Sequence, residues 1–254
     1  MTAYNNTHGN LNEVFSGIQG EGLMIGYRQV FIRLNGCNLD CQYCDTPESK
    51  QISDRCRIER HAGSRVFDYT SNPVDYRLIS SSVSNLCEEV SLHHSVSITG
   101  GEPLCQPEFV AHLAADLKSK GMRVMLETNG TLSDELDGIL PYLDVVSMDI
   151  KLRSASGAPD LLQQHIAFLK AVKSVFIYIK VVVSSTTSQD EISNAAQLSA
   201  SVNPKIPFVI QPVTSAIADN LAKPDSVLRL QAECSRYMSD VRVIPQCHKI
   251  IGQM

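Results

Sequence analysis

Short apolar runs rich in β-branched residues recur along the chain, with amphipathic stretches between them. The runs Val30–Leu34, Val96–Thr99, Arg123–Glu127, Val145–Ile150, Val175–Val183, Phe208–Gln211 and Val241–Pro245 read as strands. Helical spacing covers about Leu78–His93, Pro107–Lys120, Ser133–Leu140, Asp160–Val172, Gln189–Ser201 and Asp225–Met238. Strands that stay apolar along their whole length are buried on both faces, and this alternation predicts a parallel sheet covered by helices. Right-handed βα units in this number curl into a full or partial barrel. The predicted fold is α/β, a partial, open TIM-like barrel of parallel strands with outer helices, whose chemistry sits at the C-terminal strand ends. The stretch from Pro47 to about Tyr76 breaks the rhythm, being polar, of mixed charge and without a period. It reads as an insertion at about 47–76, serving the active site or a lid. With no internal repeat and no linker, residues 1–254 read as a single domain.

Composition narrows the class. A formal net charge of −5 argues against a broad basic footprint, so no direct nucleic-acid partner is expected. The opening residues are polar, with neither a basic region nor an apolar core, and no apolar run approaches the roughly 20 residues that span a bilayer. No membrane association and a cytoplasmic location are therefore expected. In a reducing compartment, eight cysteines point to metal or catalysis rather than disulfides. Cys37, Cys41 and Cys44 lie in one loop directly after a strand, whereas Cys56, Cys87, Cys105, Cys234 and Cys247 are scattered and read as small buried apolar residues.

Three thiolates on one short loop are soft ligands for an iron–sulfur cluster or for zinc. A structural zinc site needs four protein ligands, so zinc would require a distant fourth such as His61, Cys105 or Cys247. A 4Fe–4S cluster on three cysteines leaves one iron open to a small molecule. Other polar residues gather at successive strand ends. In Ser97-Ile-Thr-Gly-Gly-Glu-Pro103, Gly100 and Gly101 permit close backbone approach and Glu102 can accept from an ammonium group. Leu126-Glu-Thr-Asn-Gly130 and Val146-Ser-Met-Asp-Ile-Lys151 end the next two strands; Thr128 and Asn129 are equally readable as caps, and Asp149 as a structural partner of Lys151. Arg33, a cation within an apolar strand, needs an anion, either a ligand or a salt bridge to Glu13 or Glu21. Thr46 by itself reads as a turn or cap residue.

Cys37-x-x-x-Cys41-x-x-Cys44 resembles the signature of the radical S-adenosylmethionine superfamily. The resemblance implies that the open iron binds the methionyl group of S-adenosylmethionine, and that reductive cleavage gives methionine and a 5′-deoxyadenosyl radical. It places Tyr43 against the adenine, the Gly100-Gly101-Glu102 string at the methionyl amine, and Glu127, Ser147 and Lys151 at the ribose and carboxylate. Gln211, in Gln-Pro-Val-Thr214, falls on the adenine side, and Asp45 and Asp149 complete the cofactor set.

Glu13-Val-Phe-Ser-Gly-Ile-Gln-Gly-Glu-Gly22, Val30-Phe-Ile-Arg-Leu-Asn-Gly-Cys-Asn38 and Cys44-Asp-Thr46 together resemble the 7-carboxy-7-deazaguanine synthase family. The likeness covers residues 11–46, 95–151, 208–214 and, weakly, 241–252. It implies a carbon–nitrogen lyase that contracts the ring of 6-carboxy-5,6,7,8-tetrahydropterin to 7-carboxy-7-deazaguanine with loss of ammonia, in queuosine-type 7-deazapurine biosynthesis. Hydrogen abstraction at C6 would start the rearrangement, and the hydrogen would return from 5′-deoxyadenosine. Ile18, Gln19, Gly20, Glu21, Arg33 and Thr99 align with substrate contacts, Arg33 facing the pterin carboxylate, and Thr46 with a ligand to Mg2+. The resemblance also implies an electron donor such as a flavodoxin, and it suggests a homodimer. Two departures stand out: Pro47-Glu-Ser-Lys-Gln follows Thr46 where aromatics are usual, and Gln246-Cys-His-Lys249 stands for a Gln-Thr-His-Lys element. There His248 either reaches the substrate or is a core or surface histidine. The competing readings are a radical activase of a glycyl radical enzyme, and a non-catalytic zinc-binding adaptor.

Overall fold

A computed structural model describes residues 6–214 and 221–253. Ten strands form one sheet: β1 (Leu11–Ile18), β2 (Arg28–Leu34), β3 (Arg55–Glu59), β4 (Phe67–Ser71), β5 (Ser95–Gly100), β6 (Val124–Thr128), β7 (Val145–Ile150), β8 (Phe176–Val183), β9 (Phe208–Pro212) and β10 (Val241–Val243). Their order is β10-β9-β8-β7-β6-β5-β2-β1-β3-β4. From β2 to β10 every neighbouring pair is parallel. The sheet is not closed, since β10 and β4 are separate edges. This is the open, mostly parallel barrel that the apolar runs predict.

Helices α1 (Tyr76–Glu89), α2 (Pro107–Ser119), α3 (Arg153–Ser156), α4 (Leu162–Ala171), α5 (Gln189–Val202), α6 (Pro224–Cys234) and α7 (Cys247–Ile250) make up the connections and the C-terminal turn. The start signals are ordinary ones: Asp75 accepts from the Arg77 amide ahead of α1, Ser188 from the Glu191 amide ahead of α5, and Pro107 opens α2. The predicted helix over 133–140 is instead two 3-10 turns, Ser133–Glu135 and Leu140–Tyr142. Gly138 and Pro141 interrupt the α pattern, while Leu136 and Ile139 still fill the core.

The 47–76 stretch is largely built into the sheet. β3 lies parallel to β1 and β4 antiparallel to β3, extending the edge, and Val74–Asp75 pairs with His8–Gly9. Of this stretch only Lys50 reaches the central cavity.

Period-two alternation on the parallel strands sets the position of the site. One face of each strand meets the helices, as with Val124 and Leu126, Val146 and Met148, Ile179 and Val181, and Phe208 and Ile210. The opposite face changes character with depth. Near the N-terminal strand ends Met125, Val145, Tyr178 and Val209 pack with Leu23, Met24 and Ile244 into a small separate core. Farther along the same face stand Glu127, Ser147, Asp149, Lys180 and Gln211. The β1–β2 connection plugs the bottom of the open barrel, and a polar cup remains at the top.

Candidate active site

The cysteine loop is tied to its neighbours through backbone. Gly36 takes φ +90°, its amide donates to Ser49 O at 2.8 Å, and its carbonyl accepts from the Glu102 amide at 2.8 Å. Gly101 donates to Leu34 O at 3.0 Å. A Cβ on Gly101 would lie 2.1 Å from Gly36 O, and one on Gly100 2.3 Å from Leu34 O. The glycine pair therefore lets the end of β5 cross directly against the cysteine loop. On the other side Gln42 donates to Ser156 O at 2.9 Å, while Asn38, Asn129 and Thr131 form a closed set of side-chain hydrogen bonds of 2.6 to 2.8 Å. The three cysteines are unbridged, Cys41 is buried, and burial pushes the thiols of Cys37 and Cys41 upward.

Glu102 stands apart from the other sequence-predicted residues. It is fully buried and does not line the cavity. Its carboxylate accepts from the Leu104 amide (3.0 Å), the Thr128 hydroxyl (2.9 Å) and the Asn129 amide (2.7 Å). Burial raises its pKa, and these three donors oppose the rise. The residue read as an ammonium acceptor is a clamp between the ends of β5 and β6. Thr128 and Asn129 cap no helix; they meet this clamp.

The remaining predicted residues all line one cavity of about 540 Å³, a volume typical of cofactor and substrate sites. Gln19 lines it with its side chain already committed: Nε2 donates to Gln29 and Glu127, both at 3.0 Å, and Oε1 accepts from the Glu21 amide at 3.0 Å. Gly20 lies against His248, where a Cβ would come within 2.4 Å of the His248 backbone nitrogen. Of the two kinds of partner open to Arg33, the protein supplies the salt bridge, and to Glu13. Its Nε donates to Glu13 at 2.8 Å, Glu13 is shared with Arg57, and Arg33 still faces the cavity. The Thr46 hydroxyl makes no capping hydrogen bond to the turn it precedes, and Ile18, Thr99 and Ser147 complete the wall.

An ionic chain crosses the cavity floor. Lys180 on β8 is paired with Glu21 and lies 3.3 Å from Asp149; Lys151 bonds Asp149 at 3.0 Å and sits 5.1 Å from the centre of the Tyr43 ring. Gln246 donates to Glu21 at 2.6 Å and to Asp45 at 2.9 Å, so the C-terminal segment joins the same chain. Burial opposes the charge on Glu21, but Lys180 and Gln246 bring its pKa down to about 2. Burial likewise opposes the charges on Lys151 and Lys180, and their carboxylate neighbours hold both well above the usual lysine range. Lys180, Gln246 and Lys249 are wall residues that sequence reasoning missed. For Lys180 a signal existed: a lysine inside Phe-Ile-Tyr-Ile-Lys-Val-Val-Val is as costly as Arg33 in its strand.

These residues fit an iron–sulfur cluster with a bound adenosyl ligand. Three unpaired thiols from one loop offer soft ligands on one wall, and His61, Cys105 and Cys247 all lie outside the cavity lining. Among the described residues the buried Asp149 Oδ1 and Gln211 Oε1 have no hydrogen-bond partner, and the Tyr43 hydroxyl has only the Lys151 ammonium beside it. Buried polar atoms left this way mark places where a ligand supplies the missing half. Glu21, Asp45 and His248 bring one ligand atom each within 4.8 Å of one another, yet Lys180 and Gln246 already engage the two carboxylates.

Comparisons with known proteins agree with this geometry. Residues 31–156 match the family model described as the Radical SAM superfamily. A 7-carboxy-7-deazaguanine synthase of Geobacter sulfurreducens is 42% identical over 246 residues, covering 96% of this chain and 97% of its own. Another, from Methanothermobacter thermautotrophicus, is 37% identical over 94% of this chain and 96% of its own. The crystal structure of QueE from Escherichia coli has the same fold, with a TM-score of 0.60 at 21% identity and 96% coverage of both chains. The protein is a member of the 7-carboxy-7-deazaguanine synthase family of radical S-adenosylmethionine enzymes.

Proposed function

We propose that the chain, acting as one unit, contracts the ring of 6-carboxy-5,6,7,8-tetrahydropterin to 7-carboxy-7-deazaguanine and ammonia. The observation that carries this reading is one cavity lined by three unbridged thiols, by the Arg33 guanidinium and by a Glu21 carboxylate held ionised. When bound, the cluster supplies the electron that cleaves S-adenosylmethionine. Cys37, Cys41 and Cys44 hold that cluster. Tyr43, Asp149, Lys151 and Gln211 orient the cofactor, supported by the partnerless oxygens of Asp149 and Gln211. Arg33 already spends Nε on Glu13 and turns its terminal nitrogens to the pterin carboxylate. Glu21, ionised and lining the cavity, accepts from the amino-pyrimidinone edge of the substrate. Thr46, whose hydroxyl caps no turn, is the protein ligand to Mg2+, substrate oxygens and waters completing the shell.

The net conversion is redox neutral, so the external donor, of the flavodoxin class, primes rather than drives turnover. The enzyme works as a cytoplasmic protein and, by family resemblance, as a homodimer. Among the described residues no helix is long and apolar enough to cross a membrane. Reconstituted protein under anaerobic conditions, given the carboxy-tetrahydropterin, S-adenosylmethionine, Mg2+ and a strong reductant, is expected to release deazaguanine and ammonia in equal amounts while S-adenosylmethionine is conserved. Steady release of 5′-deoxyadenosine with no deazaguanine would overturn this reading in favour of another substrate.

A further inference from the structure

Lys180 is buried in the middle of β8, where its register partner on β7 is Asp149. Its ammonium is shared by two carboxylates from different elements of the fold. Glu21 belongs to the β1–β2 connection and, in the functional reading above, serves the pterin; Asp149 belongs to β7 and serves S-adenosylmethionine. Beyond Glu21 the chain continues through Gln246, and beyond Asp149 through Lys151 to Tyr43 in the cysteine loop. With Lys180 removed, Glu21 keeps only an amide partner, and Asp149 keeps only Lys151. Two carboxylates facing one cavity without the intervening cation repel each other and draw in protons or water.

We propose that Lys180 is a positioning residue that serves both ligand sites at once, holding Glu21 toward the pterin and Asp149 toward S-adenosylmethionine. It touches neither reacting atom; it acts through the two carboxylates. The inference rests on the functional reading above.

The test uses cluster-reconstituted, unreduced enzyme, so that binding is measured without turnover. 6-Carboxypterin is titrated by its fluorescence and S-adenosylmethionine by calorimetry, on wild type, Lys180→Met, Glu21→Gln, Asp149→Asn and the two double variants that contain Lys180→Met. Iron content and melting temperature are recorded for each. The expected result is that Lys180→Met weakens both ligands about tenfold or more, the scale of one lost charge-assisted hydrogen bond. Glu21→Gln weakens only the pterin, and Asp149→Asn only S-adenosylmethionine. Each double variant is no worse for its ligand than the weaker-binding of its two single variants, because Lys180 works through the partner that has been removed. Additive losses in either double variant, or a Lys180→Met effect confined to one ligand, would overturn the proposal. If Lys180→Met does not load iron, Lys180→Gln takes its place with the same expected pattern. Wild-type enzyme that binds S-adenosylmethionine but no pterin would remove the functional reading itself; additive cycles with intact wild-type binding remove only the role of Lys180.

Discussion

Replacing Glu102 with glutamine separates a clamp from a ligand contact. The carboxylate accepts three hydrogen bonds, from the amides of Leu104 and Asn129 and from the Thr128 hydroxyl. Glutamine offers one oxygen and one NH2 group. If the oxygen keeps the Leu104 and Thr128 donors, the NH2 faces the Asn129 amide across the 2.7 Å now spanned by a hydrogen bond. Two donors then oppose each other in a fully buried place. Stranding a buried amide costs about 1–3 kcal/mol, and the two surviving bonds lose their charge assistance, worth roughly 1 kcal/mol together. Relief from burying a carboxylate returns part of this, leaving a net loss of about 2–3 kcal/mol. For a chain of this size that lowers the melting temperature of the cluster-free, reduced protein by roughly 4–6 °C. Far-UV circular dichroism measures it directly. Iron uptake on reconstitution should fall as well, because Asn129 also holds Asn38 in the cysteine loop. If the melt is unchanged and only S-adenosylmethionine affinity drops, Glu102 is a cofactor ligand and the clamp argument fails.

Gly101→Ala places a methyl group 2.1 Å from Gly36 O, so β5 or the cysteine loop must shift; a loss of about 1–3 kcal/mol and poor iron loading are expected, against about 1–2 kcal/mol of backbone strain and normal loading for Gly121→Ala, which adopts φ +78° in open space. Normal loading by Gly101→Ala would show that this crossing does not position the cysteines. Glu21 has a folded pKa of about 2 against a usual 4.5, a depressed carboxylate, so its stabilising contribution is complete above about pH 4.5 and is lost as the pH falls toward 2. The stability gap between wild type and Glu21→Gln, read by urea titration, should therefore be flat from pH 7 to 5 and shrink below; a gap that grows on acidification contradicts the pairing with Lys180. Arg33→Lys keeps the charge but loses the guanidinium fork, so 6-carboxypterin binding should weaken about tenfold with little effect on S-adenosylmethionine, and equal binding would place the pterin carboxylate elsewhere.

The central strands were legible because burial on both faces leaves a continuous apolar signal: β5 through β9 fall within a residue or two of the runs that predict them. The sheet's other end hid its signal. In β3 and β4, Arg55 lies over the Tyr69 ring and Arg57 over Phe67, so charged side chains cover aromatic faces and the alternation reads as a polar loop. β1 carries the buried polar residues Glu13 and Ser16, which are satisfied by Arg33 and Arg57 on neighbouring strands and by a Glu59 contact to the Ser16 amide. The cysteine loop was legible because its chemistry is local, three like ligands in eight positions. Lys180 was not, because its carboxylate partner lies 159 residues away in sequence. Glu102 shows the converse limit. Sequence reveals that a carboxylate is present, but only packing decides whether its oxygens point into the cavity or behind its wall.

The same ionic chain bears on the fold as well as the site. Side chains on β8 alternate between the helix-facing core, with Ile179, Val181 and Val183, and the inner face, with Tyr178, Lys180 and Val182. A one-residue slip of β8 against β7 and β9 would exchange those sets. Apart from Lys180 the exchange is between apolar residues, Tyr178 and Val182 for Ile179, Val181 and Val183. The pattern of hydrophobic burial alone therefore specifies the register of β8 weakly. Lys180 removes that ambiguity. In the slipped register its ammonium would enter the apolar helix-facing core without a counter-ion, while Glu21 would keep only the Gln246 amide and Asp149 only Lys151, and burying the unpaired cation costs several kcal/mol. The cation that aligns the two ligand-facing carboxylates thus also fixes which residues of β8 face the cavity.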